Sequence, residues 1–148
     1  MIEVTTYIVS KGELLNLDEV SGMIDEGVVR LVVNGRDIID LSWVDSIVEF
    51  WAYFVNSLEA LSEHGHSSLY FPSQPIDIQF KIEQERVYVE CFGNKGSEKS
   101  LIFLRTVISE CEKFFVTLSE SNGSKKDICD FYLDKLSKLR KQELHGHP

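Results

Sequence analysis

The chain has 148 residues, 43% of them hydrophobic and 26% charged. Folded, a chain of this length buries roughly 70% of its extended surface, enough for one core and too little for two ordinary domains. Fifteen Lys and Arg against 24 Asp and Glu leave a net charge of −9, a field that disfavours nucleic acid and anionic membrane as partners and draws basic ones.

The hydrophobic content excludes disorder, and no stretch approaches the ~18 apolar residues of a membrane helix. Met1-Ile2-Glu3-Val4-Thr5 has neither the basic nor the apolar part of a leader, so no signal or transit peptide is expected. Cys91, Cys111 and Cys129 are odd in number, widely spaced and without a Cys-x-x-Cys pair. That usage points to a reducing cytoplasm and to small buried thiols rather than disulfides.

Residues 2–9, rich in Val, Ile, Thr and Tyr, read as a first strand. The signal weakens over 10–27, where 17–26 is the place for a short helix that Gly22 and Gly27 oppose. Asn34-Gly35 between the runs 28–33 and 36–41 is a strong hairpin signal, because both central residues of a type I′ turn need positive φ. A long helix is predicted over 42–64, with Ser42 and Asp45 as a capping box and Gly65 as its left-handed terminator. Its seam is Val44, Ile47, Trp51, Phe54, Leu58 and Leu61 at spacings of three and four.

A strand at 68–71 leads into Pro72-Ser73-Gln74-Pro75, a turn that two prolines keep out of a central strand. Ile76, Ile78, Phe80 and Ile82 then alternate with polar residues, and Val87, Val89 and Cys91 continue the buried face antiparallel to them. A second long helix is predicted over about 100–120 on Leu101, Leu104, Ile108, Cys111, Phe115 and Leu118, although periodicity leaves 101–104 open between helix and strand. Ser121-Asn122-Gly123 breaks the chain. A third, more polar helix follows, capped by Ser124 and Asp127 and carrying Ile128, Cys129, Tyr132, Leu136 and Leu139 inward. The expected fold is a single α+β domain over 1–148. It has a mostly antiparallel sheet of five or six strands, two long amphipathic helices packed on it, a peripheral C-terminal helix, and a mobile tail at 143–148.

Chemistry-bearing motifs are sparse. Gly93-Asn94-Lys95-Gly96-Ser97-Glu98-Lys99-Ser100 departs from a phosphate-binding P-loop at one position. Glu98 stands there in place of the glycine that lets backbone approach phosphate, so the segment reads as a flexible connecting loop. Gly93-Asn94-Lys95-Gly96 also has the spacing of a KH-type nucleic-acid loop, but between the wrong elements and in an acidic chain. The pairs His64/His66 and His145/His147 sit at a helix end and in the tail, where they read as surface residues rather than metal ligands. No Gly-x-Ser-x-Gly elbow is present. No catalytic, cofactor or metal residues are assigned, and the expectation leans away from an enzyme.

The wet side of the first long helix is more informative. Asp45, Glu49, Asn56, Glu59 and Glu63 fall on one ridge beside Tyr53, an anchor-type residue on a polar face. These six are the candidate partner-binding residues, against the plain alternative that they are a solvated acidic face. The leading functional expectation is a non-enzymatic protein-binding module that engages a basic protein. In size and charge it is of the physical type of small acidic inhibitors such as the immunity proteins that neutralise bacterial toxins; no family motif carries that comparison. The alternatives are a ligand pocket or enzyme site between sheet and helices, lined by aromatics such as Trp43, Phe50, Trp51, Phe54, Phe103, Phe114 and Phe115, and homo-oligomeric assembly.

Overall fold

β1 (Ile2–Ser10) folds back on β2 (Glu13–Asn16) through Lys11 and Gly12, both at positive φ. The computed structural model that gives this arrangement describes residues 1–144. The segment after β2 forms no helix: residues 17–25 are turns and bends that bury Leu17 and Ile24. With Gly22 at φ 93°, the helical pattern there is interrupted by a left-handed position that a helix cannot contain. β3 (Glu26–Val33) pairs with β1 along its length and is buried on both faces, as its Val and Leu run, interrupted only by the half-buried Arg30, requires.

Asn34-Gly35 makes the expected turn, at φ 53° and 81°. The returning strand β4 is only Arg36–Asp37, after which Ile38 and Ile39 turn into the core. A two-residue strand β5 (Asp45–Ser46) pairs with β3 and completes the first sheet.

α1 spans Ile47–His64 and ends on Gly65 at φ 78°. Its start is five residues later than the sequence pattern implied. The Ser42–Asp45 capping box does not form, because Asp40 accepts the backbone N–H and the hydroxyl of Ser42 in a tight turn. Trp43 and Val44 therefore lie in a loop, and their apolar character seats that loop rather than extending the helix.

Beyond α1 the chain builds a second antiparallel sheet from three successive hairpins: β6 (His66–Tyr70), β7 (Asp77–Glu83), β8 (Arg86–Cys91) and β9 (Asn94–Lys99), in that spatial order. The α+β class, with two long helices and a C-terminal helix, is what the structure has. Its strands divide between two sheets rather than one, because the α1 crossover carries the chain away and each later strand finds its partner in the next. β9 also replaces the expected flexible loop at 93–100. Gly96 has to be glycine there: a Cβ would stand 2.7 Å from the Val33 carbonyl oxygen.

α2 (Ser100–Ser121) settles 101–104 as helix. A short 3-10 turn at Gly123–Lys125 precedes α3 (Lys126–Leu144). Ser124 bonds to Asn122 rather than capping with Asp127. Residues 143–144, expected in a mobile tail, belong to α3; the rest of that segment, with His145 and His147, lies outside the described residues.

One core joins the layers. On α1, Trp51 stacks on Phe54 at 5.3 Å and donates to Thr6 of β1, while Phe54 meets Phe80 of the second sheet at 5.6 Å. Phe103 on α2 also meets Phe80, and Phe114 meets Trp51. Phe115 stacks on Tyr132 of α3 at 5.2 Å. α3 is peripheral in sequence polarity but not loosely attached: Cys129 and Leu136 are fully buried, and Arg140 reaches Glu112 of α2 at 2.6 Å.

Candidate functional site

The six residues expected on one acidic ridge do not share one fate. Asp45 is 3% exposed and lies outside α1 altogether. It accepts the backbone N–H of Ser46 at 2.8 Å and that of Ser73 at 3.1 Å, the side-chain amide of Gln74 at 3.2 Å, and the hydroxyl of Ser73. Burial alone would push its pKa up, but the Ser73, Ser46 and Gln74 donors outweigh burial and hold the carboxyl below its ordinary range. Asp45 ties the proline turn at 72–75 to the entry of α1. It is a scaffold residue, and its place on the partner face is corrected.

Glu49, Tyr53, Asn56 and Glu63 are exposed along α1 as their helical spacing dictates. Glu59 is half-buried and pairs with Lys135 of α3 at 2.9 Å. Ser62 of α1 meets Gln142 of α3 at 3.1 Å. Since residue numbers rise together across these contacts, α1 and α3 run in the same direction and close on each other toward their C-terminal ends.

Toward their N-terminal ends they leave an open depression of about 430 Å³. Val48, Ala52 and Tyr53 of α1 line one wall, and Ile128, Phe131 and Tyr132 of α3 the other; the charged residues at its rim are Glu49 and Asp127. Tyr53 is 40% exposed, Ile128 41% and Phe131 56%. Single exposed apolar residues are ordinary, but three around one concavity form the kind of patch that marks a contact surface. Both carboxylates stand in first helical turns, where they also suit the helix dipoles. Lys135 lies 4.9 Å over the Phe131 ring, so this aromatic face already receives a cation from within the chain.

Half of this site was missed from sequence because it lies on α3, about seventy-five residues away from α1. The signal available was Ile128 and Phe131, three apart on the most polar helix. By spacing Ile128 fits the buried stripe, but Cys129 takes that direction and Ile128 faces outward.

A larger depression of about 620 Å³ covers the outer face of the second sheet, where His66, Lys81, Tyr88 and Ser97 lie in register across four strands. Its lysines are already matched, Lys81 to Glu83 at 2.6 Å and Lys95 to Glu90 at 3.8 Å. That is the pattern of a solvated strand face that satisfies its own charges. The aromatics considered for a pocket between sheet and helices are packed on one another: Phe50, Trp51, Phe54, Phe103, Phe114 and Phe115 are all buried. Trp43 is half-buried, edge-on to Phe71 and to the exposed Phe92.

The former P-loop candidate is likewise structural. Glu98 is buried and pairs with the amino group of Met1, which with the Lys99 backbone N–H holds its carboxyl below the usual range. His64 and His66 stand with ring centroids 6.4 Å apart, and no group of three metal-ligating side chains occurs among the described residues. The three thiols are buried and free. Burial pushes all three thiols up, Cys111 well above its ordinary value, Cys91 to about 11 and Cys129 less far, a direction that disfavours the thiolate. No helix among the described residues is long and apolar enough to cross a membrane. No protein-family model, curated protein or solved structure matches the chain, so its function rests on the geometry alone.

Proposed function

We propose that the chain is a non-enzymatic protein-binding module that engages a basic partner through the depression between α1 and α3. The observation that carries this reading is the exposed trio Tyr53, Ile128 and Phe131 around an apolar floor whose two charged lining residues, Glu49 and Asp127, are both acidic, with Lys135 behind Phe131 and paired to Glu59. Such a site fits a lysine or arginine whose aliphatic stem lies on the floor while its head meets the carboxylates. The chain's net charge of −9 adds long-range steering of a cationic partner. This is the chemistry of a small acidic inhibitor, and a cytoplasmic location goes with it, since three free buried thiols suit a reducing compartment.

The test compares wild type with Tyr53→Ala, Phe131→Ala and Glu49→Lys as immobilised baits at low ionic strength. Proteins retained by wild type are then measured by biosensor across a salt series. The reading expects a basic partner whose association slows steeply with salt and which Tyr53→Ala weakens by about 2 kcal/mol, the scale of an interface hot spot. A partner that binds all four baits equally refutes it. Association of the wild-type chain with itself, abolished by the same substitutions, assigns the surface to homo-oligomer assembly instead.

A further inference from the structure

The α1–α3 depression carries aromatic rings on both walls as well as two carboxylates. Tyr53 stands on the α1 wall, and Phe131 and Tyr132 stand on the α3 wall. The Phe131 and Tyr132 rings are 5.1 Å apart between centroids and at 84° to each other. Tyr132 is held in place by the buried Phe115, stacked on it at 5.2 Å. Phe131 already takes a cation within the chain: the Lys135 ammonium lies 4.9 Å over its ring, with Glu59 matching the charge at 2.9 Å.

Between the rings the floor is hydrocarbon, from Val48, Ala52 and Ile128, and the helical carbonyls beneath it are bonded within α1 and α3. A lysine ammonium carries three N–H donors and a tight hydration shell. Seating it on that floor strips water from donors that meet no acceptor there. A quaternary ammonium has no N–H to satisfy, and its methyl groups pack against ring faces that attract their charge. Glu49 and Asp127 are exposed beside this floor and add attraction at longer range. Lys126 and Lys135 of α3 are matched elsewhere, to Asp130 at 3.1 Å and to Glu59 at 2.9 Å, so neither neutralises those two carboxylates.

On the reading that this site takes a cationic side chain of a basic protein, we infer that it selects a trimethylated lysine over an unmodified one, with the quaternary ammonium seated between Tyr53 on one wall and Phe131 and Tyr132 on the other. Methylation keeps the charge of the lysine. Steering by the chain's net charge of −9 is therefore the same for both forms. The difference in affinity arises at the rings, where one form has to shed bound water and the other does not.

The test titrates the full chain, labelled for aromatic ¹H–¹³C spectra, with three acetylated and amidated peptides Gly-Xaa-Gly. Xaa is trimethyllysine, lysine, or the uncharged tert-butyl isostere in which carbon replaces the quaternary nitrogen. The trimethyllysine peptide is expected to shift the Tyr53, Phe131 and Tyr132 ring signals and to bind about tenfold more tightly than either of the others, the scale of a desolvated cation–π contact. Tyr53→Phe keeps that preference, whereas Tyr53→Leu, apolar but without a ring, loses most of it; thermal melts of both variants verify that the fold is intact. Equal binding of lysine and trimethyllysine at these rings overturns the inference and leaves the depression a site for any cationic side chain. Equal binding of the uncharged isostere overturns it by reducing the site to an apolar contact. Ring signals that no peptide moves overturn it as well, while the bait experiment decides separately whether a basic protein binds here.

Discussion

Asp45 and Glu49 are one helical turn apart in sequence and look equivalent there, yet the structure separates them into scaffold and surface, and stability measurements can tell the two roles apart. Replacing Asp45 by Ala removes the acceptor for two backbone N–H groups, the Ser73 hydroxyl and the Gln74 amide. Hydrogen bonds to a charged group contribute ~1.5–3 kcal/mol each in favourable cases. Ser73 and Gln74 are partly solvated and recover some of that from water, so the expected loss is about 3 kcal/mol in total, or roughly 10 °C in Tm for a domain of this size. The loss is pH-dependent. The folded carboxyl lies below its ordinary value; its contribution is therefore complete above the unfolded pKa of about 3.9 and disappears as pH falls through the folded value. Urea melts of wild type and Asp45→Ala from pH 7 to pH 3 are expected to show a gap that is constant to about pH 4.5 and then narrows. Glu49→Gln, which touches no such network, is expected to stay within about 0.5 kcal/mol of wild type. A deficit for Asp45→Ala below about 0.5 kcal/mol, or one that does not narrow in acid, means that the carboxylate does not hold the 72–75 turn.

Three further outcomes follow from local geometry. Gln84 and Glu85 form the β7–β8 turn at φ 48° and 65°, where L side chains are strained by roughly 1–2 kcal/mol each; Glu85→Gly is expected to raise stability by about 0.5–1 kcal/mol in equilibrium unfolding once the entropy of the added glycine is deducted. Gly96→Ala places a methyl 2.7 Å from the Val33 carbonyl and 3.0 Å from its side chain, so denaturant melts are expected to show about 2 kcal/mol or more of destabilisation. The three buried thiols are expected to remain unreactive toward a disulfide reagent at pH 8 in the folded chain and to react together on addition of denaturant; fast labelling of any one in native buffer contradicts its burial.

What the sequence made legible was whatever a repeating apolar pattern encodes. The alternation from Ile76 to Ile82 gives β7, the three-and-four spacing gives α1 and α2, and Asn34-Gly35 gives its turn, since each pattern has one geometry that buries it. β9 was invisible for a physical reason. Its inward positions are Asn94, Gly96, which has to be small against Val33, and Glu98, neutralised by the Met1 amino group; a strand whose inward face carries no apolar side chain has no period to read. β2 escaped because an edge strand of four residues buries almost nothing. The start of α1 was misplaced because Trp43 and Val44 fit the helical seam while serving a loop. Of the candidate site, the α1 side was readable from periodicity. Its α3 side was not, because nothing local specifies that two helices far apart in sequence run alongside each other and separate at one end.

The division into two sheets also bears on where the chain can be touched. One sheet has two edges, whereas two small sheets have four, and every open edge is a row of unpaired backbone groups that invites another strand. Much of that row is occupied here. The Ser57 hydroxyl donates to the outward carbonyl of Ser68 on β6 at 2.7 Å. β2 covers the second half of β1, and its own outer edge carries the exposed Glu13 and Asn16. Glu110 takes the Thr6 N–H where β2 stops. Ile2 and Val4 are half-buried against the core with α2 lying alongside, so the first half of β1 is covered by a helix where its second half is covered by a strand.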